Sequence, residues 1–198
     1  SGVLASDPVD LVPTGSYANS LLDQRNSFYW DRKAYAEAAG DYTRARHYHF
    51  LREPVGVQTP VLESVKVPGE TRVWFSYQGQ GEGFANVAGP GVMGHSPSAV
   101  ARVLDDGSTQ KSRSTYNALG NPLSETDPAG REVTFVYATN GIDLIEMRRK
   151  TGVASSVRLM TATYDHRHLP LTVTDTAGQT TSFAWNARGQ MTSRTDAL

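Results

Sequence analysis

One stretch of this chain repeats itself in register. Tyr116-Asn117-Ala118-Leu119-Gly120-Asn121-Pro122-Leu123-Ser124-Glu125-Thr126-Asp127-Pro128-Ala129-Gly130 aligns without a gap to Tyr164-Asp165-His166-Arg167-His168-Leu169-Pro170-Leu171-Thr172-Val173-Thr174-Asp175-Thr176-Ala177-Gly178, 48 residues later. The match continues through Phe135 and Phe183 to Tyr137 and Trp185, and each of these last two opens a further unit ending at Gly141 or Gly189. The unit is therefore about 21 residues, lengthened to 27 between Tyr137 and Tyr164. A unit this short with two turns cannot bury an apolar face alone, so the pattern predicts β-hairpins stacked on their neighbours rather than a compact enzyme.

The turns carry their own chemistry. Asp127-Pro128-Ala129-Gly130 and Asp175-Thr176-Ala177-Gly178 have Asp first and Gly fourth, the preference of a type I turn. The second class of turn ends in Gly120, Gly141 or Gly189, where a short hairpin loop needs a left-handed residue. His168 stands where the corresponding glycine belongs, which is costly for any other residue unless the turn differs. Between turns, Val133, Phe135 and Tyr137 alternate with Thr134 and Val136, so one aromatic face per strand is expected to be buried. Tyr116, Phe135, Tyr137, Tyr164, Phe183 and Trp185 form the expected repeat core. The longer spacing is expected to be a hairpin of 142–149 against 157–164 around Lys150-Thr151-Gly152.

Upstream, three segments are predicted: 1–41, 42–99 and 100–198. Residues 1 to about 18 read as an extended arm with Pro8 and Pro13. From Asn19 to Ala39 a helix fits, capped by Asn19 or Ser20, with Leu21, Phe28 and Tyr35 on one face and Gly40 as a stop; Phe28-Tyr29-Trp30 fits a strand equally well. Arg46 to Leu51 reads as a strand with His47 and His49 on one face, and 61–67 with 71–77 as a hairpin about Pro68-Gly69-Glu70. The glycine-rich run from Gln78 to Gly94 reads as a loop.

Composition narrows the function classes. Formal charge is −1, from 19 Lys and Arg against 20 Asp and Glu, so no net field attracts nucleic acid or an acidic membrane. Cysteine is absent, which removes disulfides and thiolate metal sites. No apolar run has the length of a membrane span, and Ser1 to Ala5 lacks the features of a signal peptide. The start without Met suggests a processed product, a tag remnant or an excised fragment.

Tyr116-Asn117, Tyr164-Asp165 and Trp185-Asn186, with the Asp-x-x-Gly turns at 127–130 and 175–178, resemble the YD-repeat, or RHS-repeat, family. The likeness covers 100–198 and is weaker across 42–99, where His47 to Leu51, Glu70 to Phe75 and Arg102 to Gly107 look like the run-in to such repeats. The resemblance implies a mainly β fold, with antiparallel hairpins stacked into a spiral sheet or shell segment behind an irregular or partly helical N-terminal stretch. It implies a secreted or cell-surface structural element that encloses, displays or delivers another domain. Its partners would be neighbouring YD repeats of the same or another chain, an encapsulated toxin domain or a glycan; no cofactor is expected. The family's self-cleaving aspartate region and variable toxin domain have no counterpart in this sequence. Ending at Asp196-Ala197-Leu198 in mid-repeat suggests a fragment of a longer array, or a chain whose open edge pairs with a neighbour.

Candidate chemistry is sparse. Arg148 and Arg149, beside Lys150, Arg158 and Arg167, form a candidate basic patch for acidic glycans, with exposed aromatic rings such as Trp74 as stacking platforms. A solvated charged hairpin tip explains the same residues more simply. His47 and His49, alternate on a strand, are candidate metal ligands, as are His166 and His168, but packing and turn roles outweigh that reading. Asp127, Asp175 and Glu146 are candidate general acids, but Asp127 and Asp175 are accounted for by their turns. The Gly79-x-Gly81-x-Gly83 run lacks the strand, helix and Lys of a phosphate loop, and no Gly-x-Ser-x-Gly elbow exists.

Overall fold

The structure, a computed structural model, describes residues 26–52, 58–78, 80 and 96–197. The expected N-terminal arm, the Asn19 or Ser20 cap, Leu21, most of the Gln78–Gly94 loop and His95 lie outside these residues. What is described is a mainly β chain with thirteen strands and one short α-helix, every observed strand pairing being antiparallel. It divides into two compact units between Arg113 and Ser114. The boundary expected at 99/100 falls inside a strand, Ala99–Val103, that pairs with a strand of the first unit on each side.

The first unit contains β1 (Asn26–Tyr29), α1 (Arg32–Glu37), β2 (Arg46–Arg52), β3 (Gln58–Lys66), β4 (Val73–Ser76), β5 (Ala99–Val103) and the start of β6 (Thr109–Tyr116), with strand neighbours following chain order. The long helix that fitted Asn19–Ala39 is replaced over 26–29 by strand. Phe28 pairs with His47 and Tyr29 with Arg46, and the Phe28 ring stacks on His47 at 4.8 Å and meets Tyr42 edge-on at 4.7 Å. These cross-strand contacts outweigh the seven-residue spacing of Phe28 and Tyr35, because strand preference is set by what a side chain packs against. Helix survives only in α1, which buries no residue and starts where the Asp31 carboxylate accepts the Ala34 N–H at 2.8 Å. Pro68-Gly69-Glu70 turns β3 into β4, with Gly69 at φ +78° and the Glu70 N–H donating to Val67 O at 3.1 Å.

Leu51, Val61 and Tyr77 form an apolar cluster against Phe75. Burial drives the Tyr77 phenol up to about 12, and its hydroxyl donates to Leu62 O at 2.8 Å, so the buried polar tip is satisfied. Beside this lies a buried polar group: His49, Glu63 and Ser64 are fully enclosed, and His47 and Arg72 nearly so. His49 contacts Asn26 Oδ1 at 2.7 Å through Nδ1 and Glu63 Oε2 at 3.0 Å through Nε2. Both ring nitrogens of His49 are thus engaged within the buried group. Arg72 donates to Ser64 Oγ at 3.1 Å and to His47 Nδ1 at 3.0 Å, and it lies over the Trp74 ring.

The second unit adds β7 (Pro122–Thr126), β8 (Glu132–Tyr137), β9 (Leu144–Lys150), β10 (Ser156–Tyr164), β11 (Pro170–Asp175), β12 (Thr180–Trp185) and β13 (Met191–Thr195), each paired with the next. Register sorts the side chains. Phe135, Met147 and Met160 form one cross-strand row, and Ala162 and Val173 another on the same face. The opposite face carries Thr163, Thr172, Ser182 and Thr195 in one row and Thr161, Thr174 and Thr180 in the next. Hydroxyls meet across this face at 2.6 Å for Thr163 and Thr172 and at 2.8 Å for Thr174 and Thr180. Cross-strand pairs of this kind each contribute about 0.2–1 kcal/mol.

The apolar face is not a closed core. Of the described residues in this unit, only Ala162 and Asp143 are buried, and Tyr116, Phe135, Tyr137, Tyr164, Phe183 and Trp185 are all half-buried. The aromatic face expected to be buried on each strand is half-buried, since alternation chooses a face but does not supply a second layer to cover it.

Candidate functional site at the repeat turns

The distinctive chemistry of the second unit lies along the edge where the turns following Tyr116, Tyr137, Tyr164 and Trp185 sit. In each, an Asn or Asp side chain organises the backbone; it is the residue after the ring in three of them, while after Tyr137 that place is Ala138 and Asn140 Oδ1 accepts the Ile142 and Asp143 N–H groups at 2.9 and 3.1 Å instead. Asn117 Oδ1 accepts the Leu119 and Asn121 N–H groups at 2.9 and 3.0 Å, Asp165 Oδ1 accepts Arg167 and Leu169 at 2.8 and 3.0 Å, and Asn186 Oδ1 accepts Arg188 and Gln190 at 2.9 and 3.1 Å. Short polar side chains that mimic a backbone turn are the reason Asn and Asp occupy this place. The turns on the other edge use Asp127 and Asp175 the same way, with 2.8–2.9 Å contacts to Ala129 and Arg131, and to Ala177 and Gln179.

Gly120, Gly130, Gly141, Gly178 and Gly189 all have φ between +71° and +85°. At Gly141 a side chain would also approach Leu119 Cδ1 at 3.2 Å, so two reasons select glycine there. His168 is the one non-glycine residue with positive φ among the described residues, at +64°. The turn does not differ to relieve it: the His168 N–H donates to Asp165 O at 3.1 Å and the Asp165 N–H to Leu169 O at 2.9 Å, as in the glycine turns.

Successive turns on this edge are joined by side chains. Asn117 and Asn121 both donate to Gly141 O, at 2.8 and 2.9 Å. His168 Nδ1 lies 3.1 Å from each oxygen of Asp143, and Arg167 donates to Asn186 O at 2.8 Å. Burial raises the Asp143 carboxyl, but hydrogen bonds from His168 and Asn140 outweigh it and hold the group below its ordinary value. Desolvation likewise raises Asp165, yet the Leu169 and Arg167 amides and the Arg167 guanidinium bring it to about 2. Both carboxylates are therefore ionised wherever the protein is near neutral pH.

The half-buried aromatics place their polar tips on neighbouring backbone: Tyr164 Oη donates to Leu144 O at 3.1 Å and Trp185 Nε1 to Pro170 O at 2.7 Å. Desolvation raises the phenols of Tyr137 and Tyr164. Tyr164 and Trp185 thus each tie their own strand to the one before it.

The candidate glycan residues are not brought together. Arg148 pairs in register with Thr134, and Arg149 with Val133, so neighbouring residues of β9 lie on opposite faces. Arg148 is ion-paired with Glu146, which also takes Arg158 at 3.2 Å, and Lys150 pairs with Glu132 at 2.8 Å. A uniformly basic patch is replaced by alternating charge. Trp74 is 1% exposed and offers no face to a sugar. His47 and His49 do share a face, but Arg72 donates to His47 while His49 is held between Asn26 and Glu63. A guanidinium in that position opposes a cation. No group of three or more His, Asp or Glu able to hold a metal ion occurs among the described residues, and no helix among them is long and apolar enough to cross a membrane.

Comparison with known proteins gives three findings. The model of the RHS repeat matches residues 164–198. No curated protein matches. Among solved structures the chain is similar to a crystal structure of TcdB2-TccC3-Cdc42, with 13% identity and a TM-score of 0.47 over 77% of this chain and 9% of that one. It is similar to a TcdB2-TccC3 crystal structure at 13% identity and 0.44, covering 76% of this chain and 9% of the other. The Tc holotoxin pore of Photorhabdus luminescens matches at 11% and 0.44, covering 78% and 9%. The chain spans about a tenth of the length of each of these. The RHS repeat is matched over 164–198, and Asn/Asp-led turns of the same build continue upstream of it to Asn117, so the C-terminal part of the chain carries RHS-repeat, or YD-repeat, sequence.

Proposed function

We propose that this chain is a wall segment of a secreted or surface RHS shell, which encloses or delivers another domain and contributes sheet rather than chemistry. The single observation that carries this reading is the build of the second unit: each hairpin pairs with the next, each turn is fastened to the following turn, and only Ala162 and Asp143 are buried among its described residues. A sheet of this kind grows by adding units, and its stability is a sum of unit and neighbour terms. Its two faces suit a wall: a hydroxyl and ion-pair face opposite an aromatic one.

The test is the native polypeptide. Antibodies to this sequence should detect, in secreted or surface fractions of the producing cell, a product far above 21.5 kDa that shields an internal domain from protease until the wall is opened. A native product of this size alone, or a larger one whose other domains are all cleaved as fast as an exposed linker, would overturn the proposal.

A further inference from the structure

The junction between the 138–143 and 165–169 turns combines a strained backbone, a buried carboxylate and a titratable ring. His168 holds the left-handed position that glycine fills in the other repeat turns. Its Nδ1 faces both oxygens of Asp143 at 3.1 Å. Asp143 is 8% exposed, and its Oδ2 also receives Asn140 Nδ2 at 2.7 Å. The imidazole itself is 49% exposed, so protons reach it directly from solvent.

We propose that His168 and Asp143 form a proton-operated clasp between two successive repeat turns, tightening when the imidazole takes its second proton. Because Asp143 can only accept, the tautomer that bonds it carries its hydrogen on Nδ1, a nitrogen that also lies 3.3 Å from Asn140 Nδ2. The neutral ring gives one hydrogen bond to a carboxylate; the imidazolium keeps that bond and adds an ion pair. Imidazole is the side chain whose charge ordinarily changes between about pH 5 and 8. The other groups that face the pair are Asp165 and Arg167, bonded to each other at 2.8 Å, the Asn140 amide, and Tyr164, whose phenol desolvation raises. None of these changes charge in that window, which leaves His168 as the responsive member and His166, exposed in the same turn, as the control. The direction follows: within the window the clasp is firmest at the acidic end and loosens as pH rises, and at still lower pH protonation of Asp143, held below its ordinary value, undoes it. The repeats ending in Gly120 and Gly189 lack this device.

The test is amide exchange on the full chain at about pH 5.5 and about pH 8, corrected for intrinsic rates, read at the Asp165 and His168 N–H groups that close the turn. The wild type should show roughly two- to fivefold greater protection at the lower pH, the range of a partly exposed ion pair. His168→Asn keeps a residue that tolerates left-handed φ but cannot titrate, and Asp143→Asn keeps the shape without the charge; both should abolish the difference. His166→Asn should preserve it. A wild type without pH dependence, a His168→Asn protein that retains it, or a His166→Asn protein that loses it would each overturn the clasp.

Discussion

In the first unit Leu51, Trp74, His49, Glu63 and Ser64 lose essentially all contact with solvent, whereas the second unit buries Ala162 and Asp143 alone among its described residues. Both are antiparallel ladders, so strand pairing does not account for the difference. The first unit gathers its stability in a few enclosed side chains, including the buried His49–Glu63 contact at 3.0 Å. The second spreads it over turns, half-buried rings and hydroxyl rows that recur from hairpin to hairpin. Concentrated stability is sensitive to single deletions; distributed stability tolerates them but yields locally.

Substitutions sharpen that contrast. The largest effect is expected from Glu63→Ala, which removes the enclosed partner of His49 Nε2 and should cost about 3 to 5 kcal/mol in denaturant melts; a loss below about 1 kcal/mol would show that this buried contact is not central to the first unit. Tyr164→Ala should cost less, about 1 to 3 kcal/mol, because the ring is half-buried where full burial would give about 3 to 5. If it matches Glu63→Ala, the second unit has a true core and the contrast fails. Gly178→Ala introduces a Cβ into open space at φ +80°, so only backbone strain is added, about 1 to 2 kcal/mol. A neutral result would mean that the turn readily adopts another form.

Acid should weaken the second unit gradually. Hydrogen bonds hold Asp127, Asp143, Asp165 and Glu146 below their ordinary values. A carboxylate depressed in the folded state stabilises above its unfolded pKa and loses that contribution as pH falls through the folded one. The carboxylate contribution to the denaturation midpoint should therefore be constant above about pH 5 and fall between about pH 4 and about pH 2. A midpoint that rises over this range would contradict the sign.

What the sequence disclosed follows the same division. The glycines at 120, 130, 141, 178 and 189 were legible because a left-handed turn position is a local demand, met within four residues. His168 was visible as the exception for the same reason, but its partner Asp143 was not, because 25 residues separate them. The strand at Asn26–Tyr29 competed with a helical spacing that Phe28 and Tyr35 satisfied, and only His47 and Arg46, far along the chain, decide it. Burial of Glu63 and Arg72 was hidden altogether, since charge in a sequence reads as surface until cross-strand partners enclose it. Trp74 and Arg149 misled for a related reason: exposure and facing are set by register, which composition does not contain.

The most direct test of a concentrated first unit and a distributed second one is residue-level hydrogen exchange across the full chain under native conditions. Strands β2 to β4 should exchange only through one shared, high-energy opening, while β7 to β13 open hairpin by hairpin with lower and graded protection. Equal protection in both units, lost together at a single denaturant concentration, would contradict the account.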